Sequence, residues 1–141
     1  MVGCKISIDD ISPDVDQRTY RSMIGSLLYI TTSHPDIIQV VGMVGRYQSA
    51  PKQIHLASFK RIFKYLKGTM TYGLWYPRNQ NFQLTAYSNV DCENYLDERK
   101  STSGGAFFLG DLLVAWISNK QGSISLSTIE VEYIVAATCC T

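Results

Sequence analysis

The spacing of apolar residues changes near Gly68, and no other feature of this chain constrains its fold as tightly. Before that point, apolar side chains recur every three or four residues, the period of a helix with one buried face. Tyr20, Met23, Ile24, Leu27 and Leu28 form one stripe. Ile37, Val40, Val41, Val44 and Tyr47 form a second, and Leu56, Phe59, Ile62, Phe63 and Leu66 a third. Pro35, with Ser33 before it as a cap, and Pro51 mark the next two helix starts, because proline suits a first helical turn. Gly42 and Gly45 weaken the second helix or admit a close neighbour. Gly68 behind Lys67 is a stop signal.

Beyond Gly68 the period falls to two. Thr71–Tyr76 reads as extended, and Pro77 to Gln80 as a turn. Phe82, Leu84 and Ala86 alternate with Gln83, Thr85 and Tyr87, as in a half-buried strand. Asn89 to Lys100 reads as a polar, acidic loop. Gly105–Leu109 and Leu113–Ser118 read as two more strands, joined by the Gly110-Asp111 turn. Ser125 or Ser127 caps a final helix with Leu126, Ile129, Val131, Tyr133, Ile134 and Ala137 as its apolar residues. Three helices, three strands and one helix make an α+β chain with an antiparallel sheet.

Composition narrows the function classes. Hydrophobic residues make up 45% of the 141, with nine Tyr and five Phe, so the chain can bury a core. A formal charge of +1 gives no global attraction for nucleic acid. Any such binding must come from a local cluster, and Lys60, Lys64 and Lys67, with Arg61 beside them, supply the one candidate. Cys4, Cys92, Cys139 and Cys140 form no C-x-x-C pair, and the spacings do not suit zinc. They read as reduced thiols of an intracellular protein. Met1 to Asp10 lacks the basic start and apolar core of a secretory signal. The apolar stretches Met23–Ile30 and Leu112–Ile117 are too short to span a bilayer. The expectation is therefore a cytoplasmic or nuclear chain with no membrane partner. Residues 1–16 read as a polar leader with no core of its own. The pair Asp9-Asp10 lacks the preceding aromatic of a polymerase site and precedes the turn-prone Ser12-Pro13. The last helix meets Thr141 without a stop signal, as in a chain that has been cut.

Four segments carry a resemblance. They are Tyr20-Arg21-Ser22-Met23-Ile24-Gly25-Ser26-Leu27-Leu28-Tyr29 with His34-Pro35-Asp36-Ile37; Lys60-Arg61-Ile62-Phe63-Lys64-Tyr65-Leu66-Lys67-Gly68-Thr69; Arg99-Lys100-Ser101-Thr102-Ser103-Gly104-Gly105; and Ser125-Leu126-Ser127-Thr128-Ile129-Glu130-Val131-Glu132-Tyr133. In this order and spacing they resemble the copia-type (Ty1-like) retrotransposon Pol polyprotein. The resemblance implies that residues 17–76 correspond to the helical thumb that ends a reverse transcriptase. Residues 77–141 would be the first half of a ribonuclease H domain, a truncated three-stranded sheet with one helix.

The same resemblance implies a chemistry with a defect. Ribonuclease H cleaves the RNA of a hybrid with two divalent metals, one activating water and one steadying the leaving oxygen. In the intact family domain the metal is Mg2+, which wants several converging oxygen ligands. The family's first ligand is an Asp in a Tyr-Ser-Asp-x-Asp context. Here the context is Tyr87-Ser88-Asn89-Val90-Asp91, so Asn89 stands at the ligand position without its charge. The second ligand corresponds to Glu132, and Glu130 points elsewhere on the helix. Asp91 is a weak substitute, and the later ligands have no counterpart here. The expectation is an inactive chain that binds no metal. In the polyprotein the partner is an RNA/DNA hybrid or duplex. Here Lys60, Arg61, Lys64 and Lys67, with Tyr65 for stacking, would bind one weakly or not at all. Family positions at Cys92-Glu93-Asn94, Ile129 and Val131 also hold unusual residues. A third reading is a secreted RxLR-type effector, a label that short chains of this kind can acquire by similarity. Arg18-Thr19-Tyr20-Arg21 is the nearest approach to Arg-x-Leu-Arg and has Tyr at the Leu position.

Overall fold

The structure is a computed structural model, and it describes residues 11–78, 83–91, 100–122, 124 and 127–140. The chain divides into two compact units, Met1–Gly73 and Leu74–Thr141. The fold is α+β, with four α-helices and a three-stranded antiparallel sheet.

The first unit holds α1 (Gln17–Ile30), a short 3-10 turn over Pro35–Ile37, α2 (Ile38–Gly45) and α3 (Gln53–Gly68). The three apolar stripes meet in one core of Tyr20, Ile24, Leu27, Ile37, Val41, Val44, Phe59 and Ile62. Burial of such stripes, more than helix propensity, is what stabilises helices this short. Tyr20 donates its buried hydroxyl to the Val44 carbonyl at 2.8 Å, tying α1 to α2. His55 is fully buried and stacks on Tyr47 with ring centroids 4.0 Å apart. Its Nδ1 accepts the Lys52 amide at 2.9 Å and so satisfies a backbone donor just before α3.

Three expectations need correcting in this unit. Ser33 does not cap the second helix: its hydroxyl lies 2.9 Å from His34 Nδ1 and turns back to the Ile30 carbonyl. Pro35 opens a 3-10 turn rather than an α-helix. Phe63 is exposed, although its ring still packs on Phe59. The second half of the supposed leader is also tied down. Val15 donates to the Pro51 carbonyl and Gln53 to the Pro13 carbonyl, both at 2.9 Å. Asp14 pairs with Lys52 at 2.7 Å. Asp16 then caps α1 by accepting the Thr19 amide. Residues 1–10, including Cys4 and the Asp9-Asp10 pair, lie outside the described residues.

The second unit holds β1 (Leu84–Asp91), β2 (Thr102–Leu109), β3 (Leu112–Lys120) and α4 (Thr128–Cys140), with strand order β1-β2-β3. Gly110 adopts φ 63° in the tight β2–β3 turn, a conformation glycine takes without cost. β1 pairs with β2 from Leu84↔Leu109 to Asp91↔Thr102. β2 pairs with β3 from Thr102↔Lys120 to Leu109↔Leu112, with an irregularity beside Phe107 and Phe108. Thr71–Tyr76 forms no strand. Asn89, Val90 and Asp91 continue β1 instead of opening the expected loop. Phe82, most of that loop including Cys92, and Ser125 and Leu126 lie outside the described residues.

Candidate functional site

Ser127 caps α4, its hydroxyl accepting the Glu130 amide at 3.2 Å. It packs on β1 and β2 through Val131 and Val135, one turn apart and both buried. Gly105 fixes the distance. A Cβ there would lie 2.9 Å from Ile117 Cγ1 and 3.1 Å from Cys139 Sγ, so a side chain would force Ile117 to shift and crowd the helix.

That contact also decides which way each residue of β1 faces. Paired residues in an antiparallel ladder share a face, and neighbours along a strand alternate. Gly105 faces α4 and pairs with Ser88 on β1 and Ile117 on β3. Ser88 therefore faces α4 as well, with Leu84, Ala86 and Val90. Tyr87, Asn89 and Asp91 lie on the opposite face. Tyr87 meets Phe108 there, edge to face at 5.7 Å.

A shallow depression between β1 and α4 is lined by Ser88, Thr128, Ile129, Glu132, Tyr133 and Ala136. It brings Glu132 beside Ser88, the residue before Asn89. Asn89 does not line it. The Asn89 side-chain oxygen instead accepts the Val90 amide at 2.9 Å, and the residue is exposed. Asp91, half-buried at the end of β1, shares the Asn89 face. Of the residues singled out from the sequence, Glu132 thus lines a depression together with Ser88, while Asn89 and Asp91 sit across the sheet.

This donor set does not fit a pair of magnesium ions. The depression offers one carboxylate and the hydroxyl groups of Ser88, Thr128 and Tyr133. Two dications held close need several anionic oxygens to offset their mutual repulsion. Among the described residues, no three His, Cys, Asp or Glu side chains come together in a metal-holding group.

In the first unit, Lys60, Arg61, Lys64 and Lys67 are exposed along α3. Lys67 in the last turn also complements the helix dipole. Tyr65 is engaged otherwise than expected: its hydroxyl donates to the Asp36 carboxylate at 2.6 Å. That bond raises the phenol pKa above its ordinary value. No helix of the described residues is long and apolar enough to cross a membrane.

The chain is 33% identical over 129 residues to the retrovirus-related Pol polyprotein from transposon RE1 of Arabidopsis thaliana, covering 92% of this chain and 9% of that one. It is 36% identical over 118 residues to the Pol polyprotein from transposon TNT 1-94 of Nicotiana tabacum, covering 83% and 9%. It is also 36% identical over 116 residues to a protein named secreted RxLR effector protein 161 of Plasmopara viticola, with 82% of each chain covered. The chain belongs to the family that joins this last protein to a segment of retrotransposon Pol polyproteins. No family model and no solved structure matches it. As a Pol-segment relative it spans about a tenth of those polyproteins' length, 9% in both cases above. Within this family the aligned stretch takes in most of both compact units.

Proposed function

We propose that this Pol-segment chain corresponds to the junction of a copia-type reverse transcriptase and its ribonuclease H, and that it does not cleave nucleic acid by itself. The helical unit is the counterpart of the polymerase thumb. The sheet with α4 is the counterpart of the first half of the nuclease. The observation that carries the inactive reading is the separation of Asn89 from Glu132 by the sheet. One carboxylate cannot seat two dications, and an amide on the far face adds neither charge nor proximity.

A hybrid with labelled RNA, incubated with Mg2+ or Mn2+, tests this directly. The chain and its Asn89→Asp variant are both expected to leave the RNA intact. Cleavage that disappears with Glu132→Gln would overturn the proposal. The exposed cations of α3 support residual, sequence-independent contact with phosphates, with a salt slope of about −0.9 per phosphate neutralised. Replacing Lys60, Arg61, Lys64 and Lys67 by Gln should abolish any low-salt binding of a hybrid.

The extensive match to the effector-named protein favours a second reading, secretion as an effector. We read that name as one passed between relatives of a transposon segment. Expression in a secreting host separates the two: recovery of the chain from the medium would support the effector reading.

A further inference from the structure

His55 is a fully buried titratable group of the helical unit, and its ring holds a backbone amide. Nδ1 accepts the Lys52 amide at 2.9 Å, so the neutral ring carries its proton on Nε2. On the other side of the same peptide unit, the Pro51 carbonyl accepts the Val15 amide at 2.9 Å. A trans peptide points its carbonyl and its amide in opposite directions. One peptide unit is thus held at both ends, by the imidazole on the inside and by the strap of residues 12–16 on the outside. The next bond of the strap relies on the same backbone orientation, because Gln53 donates to the Pro13 carbonyl at 2.9 Å. The remaining ties of the strap are weaker. Ile54 donates to the Ser12 hydroxyl at 3.4 Å, and the ion pair of Asp14 with Lys52 has an exposed carboxylate. None of residues 11–16 belongs to the apolar core, so the strap can leave without opening it.

We infer that His55 is an acid-sensitive latch: protonation of its ring detaches the strap of residues 12–16 from the start of α3 while the helical core stays folded. An imidazolium carries a proton on both nitrogens, so Nδ1 no longer accepts and meets the Lys52 amide donor to donor. The Pro51–Lys52 peptide must then rotate, which takes the Pro51 carbonyl away from Val15. The groups around the ring favour this response. From the turn after α2, Tyr47 covers the ring at 4.0 Å, with the Tyr20 phenol of α1 close to it. An aromatic face attracts a cation, so the charged ring keeps its place and the backbone yields. The two carboxylates of the strap are engaged elsewhere, Asp14 with Lys52 at 2.7 Å and Asp16 with the Thr19 amide at 2.8 Å. α3 itself carries no acidic residue, and the Lys52 ammonium adds a like charge. The closed strap needs a neutral ring, whereas a released one leaves the imidazole to titrate near its ordinary value of about 6.5. Release therefore binds a proton, and it becomes more favourable by about tenfold for each pH unit below that value.

Amide hydrogen exchange of the 141-residue chain, read by NMR as protection factors between pH 7.5 and pH 5, is the test. Protection at Val15 and Gln53 should fall by about tenfold per pH unit below about 6.5, while that of core amides such as Val41 and Ile62 stays unchanged. His34→Asn removes the other histidine of the chain and should leave this response intact. His55→Asn puts an amide oxygen in the place of Nδ1, an acceptor that does not titrate, so its strap should stay closed at pH 5. The 15N shift of the His55 ring gives a reading that needs no variant. It should show Nδ1 without a proton at pH 7.5 and gaining one as strap protection falls. Protection at Val15 and Gln53 that does not change with pH overturns the inference. So does a parallel loss of core protection, release of the strap in His55→Asn at pH 5, or an Nδ1 already protonated at pH 7.5.

Discussion

Tyr20 shows how one side chain can hold two helices and report on them. Burial, with a smaller contribution from Tyr47, pushes its phenol up to about 12. The hydroxyl must stay protonated to donate to the Val44 carbonyl. Tyr20→Phe removes that donor and leaves the Val44 carbonyl with the longer bond from the Tyr47 amide at 3.3 Å, which should cost about 1 kcal/mol at neutral pH. The sign of the pH effect follows from linkage. Below pH 10 the phenol is neutral in both the folded and unfolded chain, and its contribution is fully present. Above pH 10 the unfolded chain loses the proton first, so the contribution fades as pH rises through the folded value. Denaturant midpoints at pH 7 and pH 11 should therefore show the gap between the chain and Tyr20→Phe closing at the higher pH. Asp16 behaves in the opposite sense. Its bonds to the Thr19 hydroxyl and amide hold its carboxyl below the usual 3.8. That stability is present above 3.8 and lost as pH falls through the lowered value. Asp16→Ala should lower Tm at pH 6 and make the melting temperature less sensitive to acid.

At the scale of elements, the helices of the first unit were readable because each buries a single stripe. Ile24, Val41 and Phe59 fall on the expected faces, and all are buried. The strands were readable from alternation and from the Gly110-Asp111 turn. Two things were not. The strap of residues 12–16 is held in part by backbone bonds to Pro51 and Gln53, which leave no pattern in side-chain type. The face of α4 was also hidden, because Ile129, Val131, Tyr133, Ile134 and Val135 are apolar around the whole helix. Only packing selects Val131 and Val135 and leaves Ile129 and Tyr133 outside. The site suffered from the same gap. Glu132 and the Tyr87-Ser88-Asn89 context could be read from sequence, but which β1 residue faces α4 depends on Gly105. Gly105→Ala tests that close approach. With Ile117 and Cys139 so near, we expect a loss of about 1–3 kcal/mol in chemical unfolding, the usual cost of overpacking. The same change at Gly42, where a Cβ meets nothing within 4 Å, should stabilise α2 slightly.

For the molecule as a whole, a charge of +1 and a lone carboxylate in the depression leave little with which to attract or hold cations. The account therefore depends on the sheet alternation that sets Ser88, and not Asn89, beside Glu132. Mn2+ affinity, measured by calorimetry for Ser88→Asp and Asn89→Asp with and without Glu132→Gln, examines that alternation directly. The account predicts that Ser88→Asp binds Mn2+ and that Glu132→Gln weakens this by about tenfold or more, since the two carboxylates share one ion. It predicts that Glu132→Gln leaves the affinity of Asn89→Asp unchanged. Coupling of Glu132 to Asn89→Asp, with none to Ser88→Asp, would contradict it.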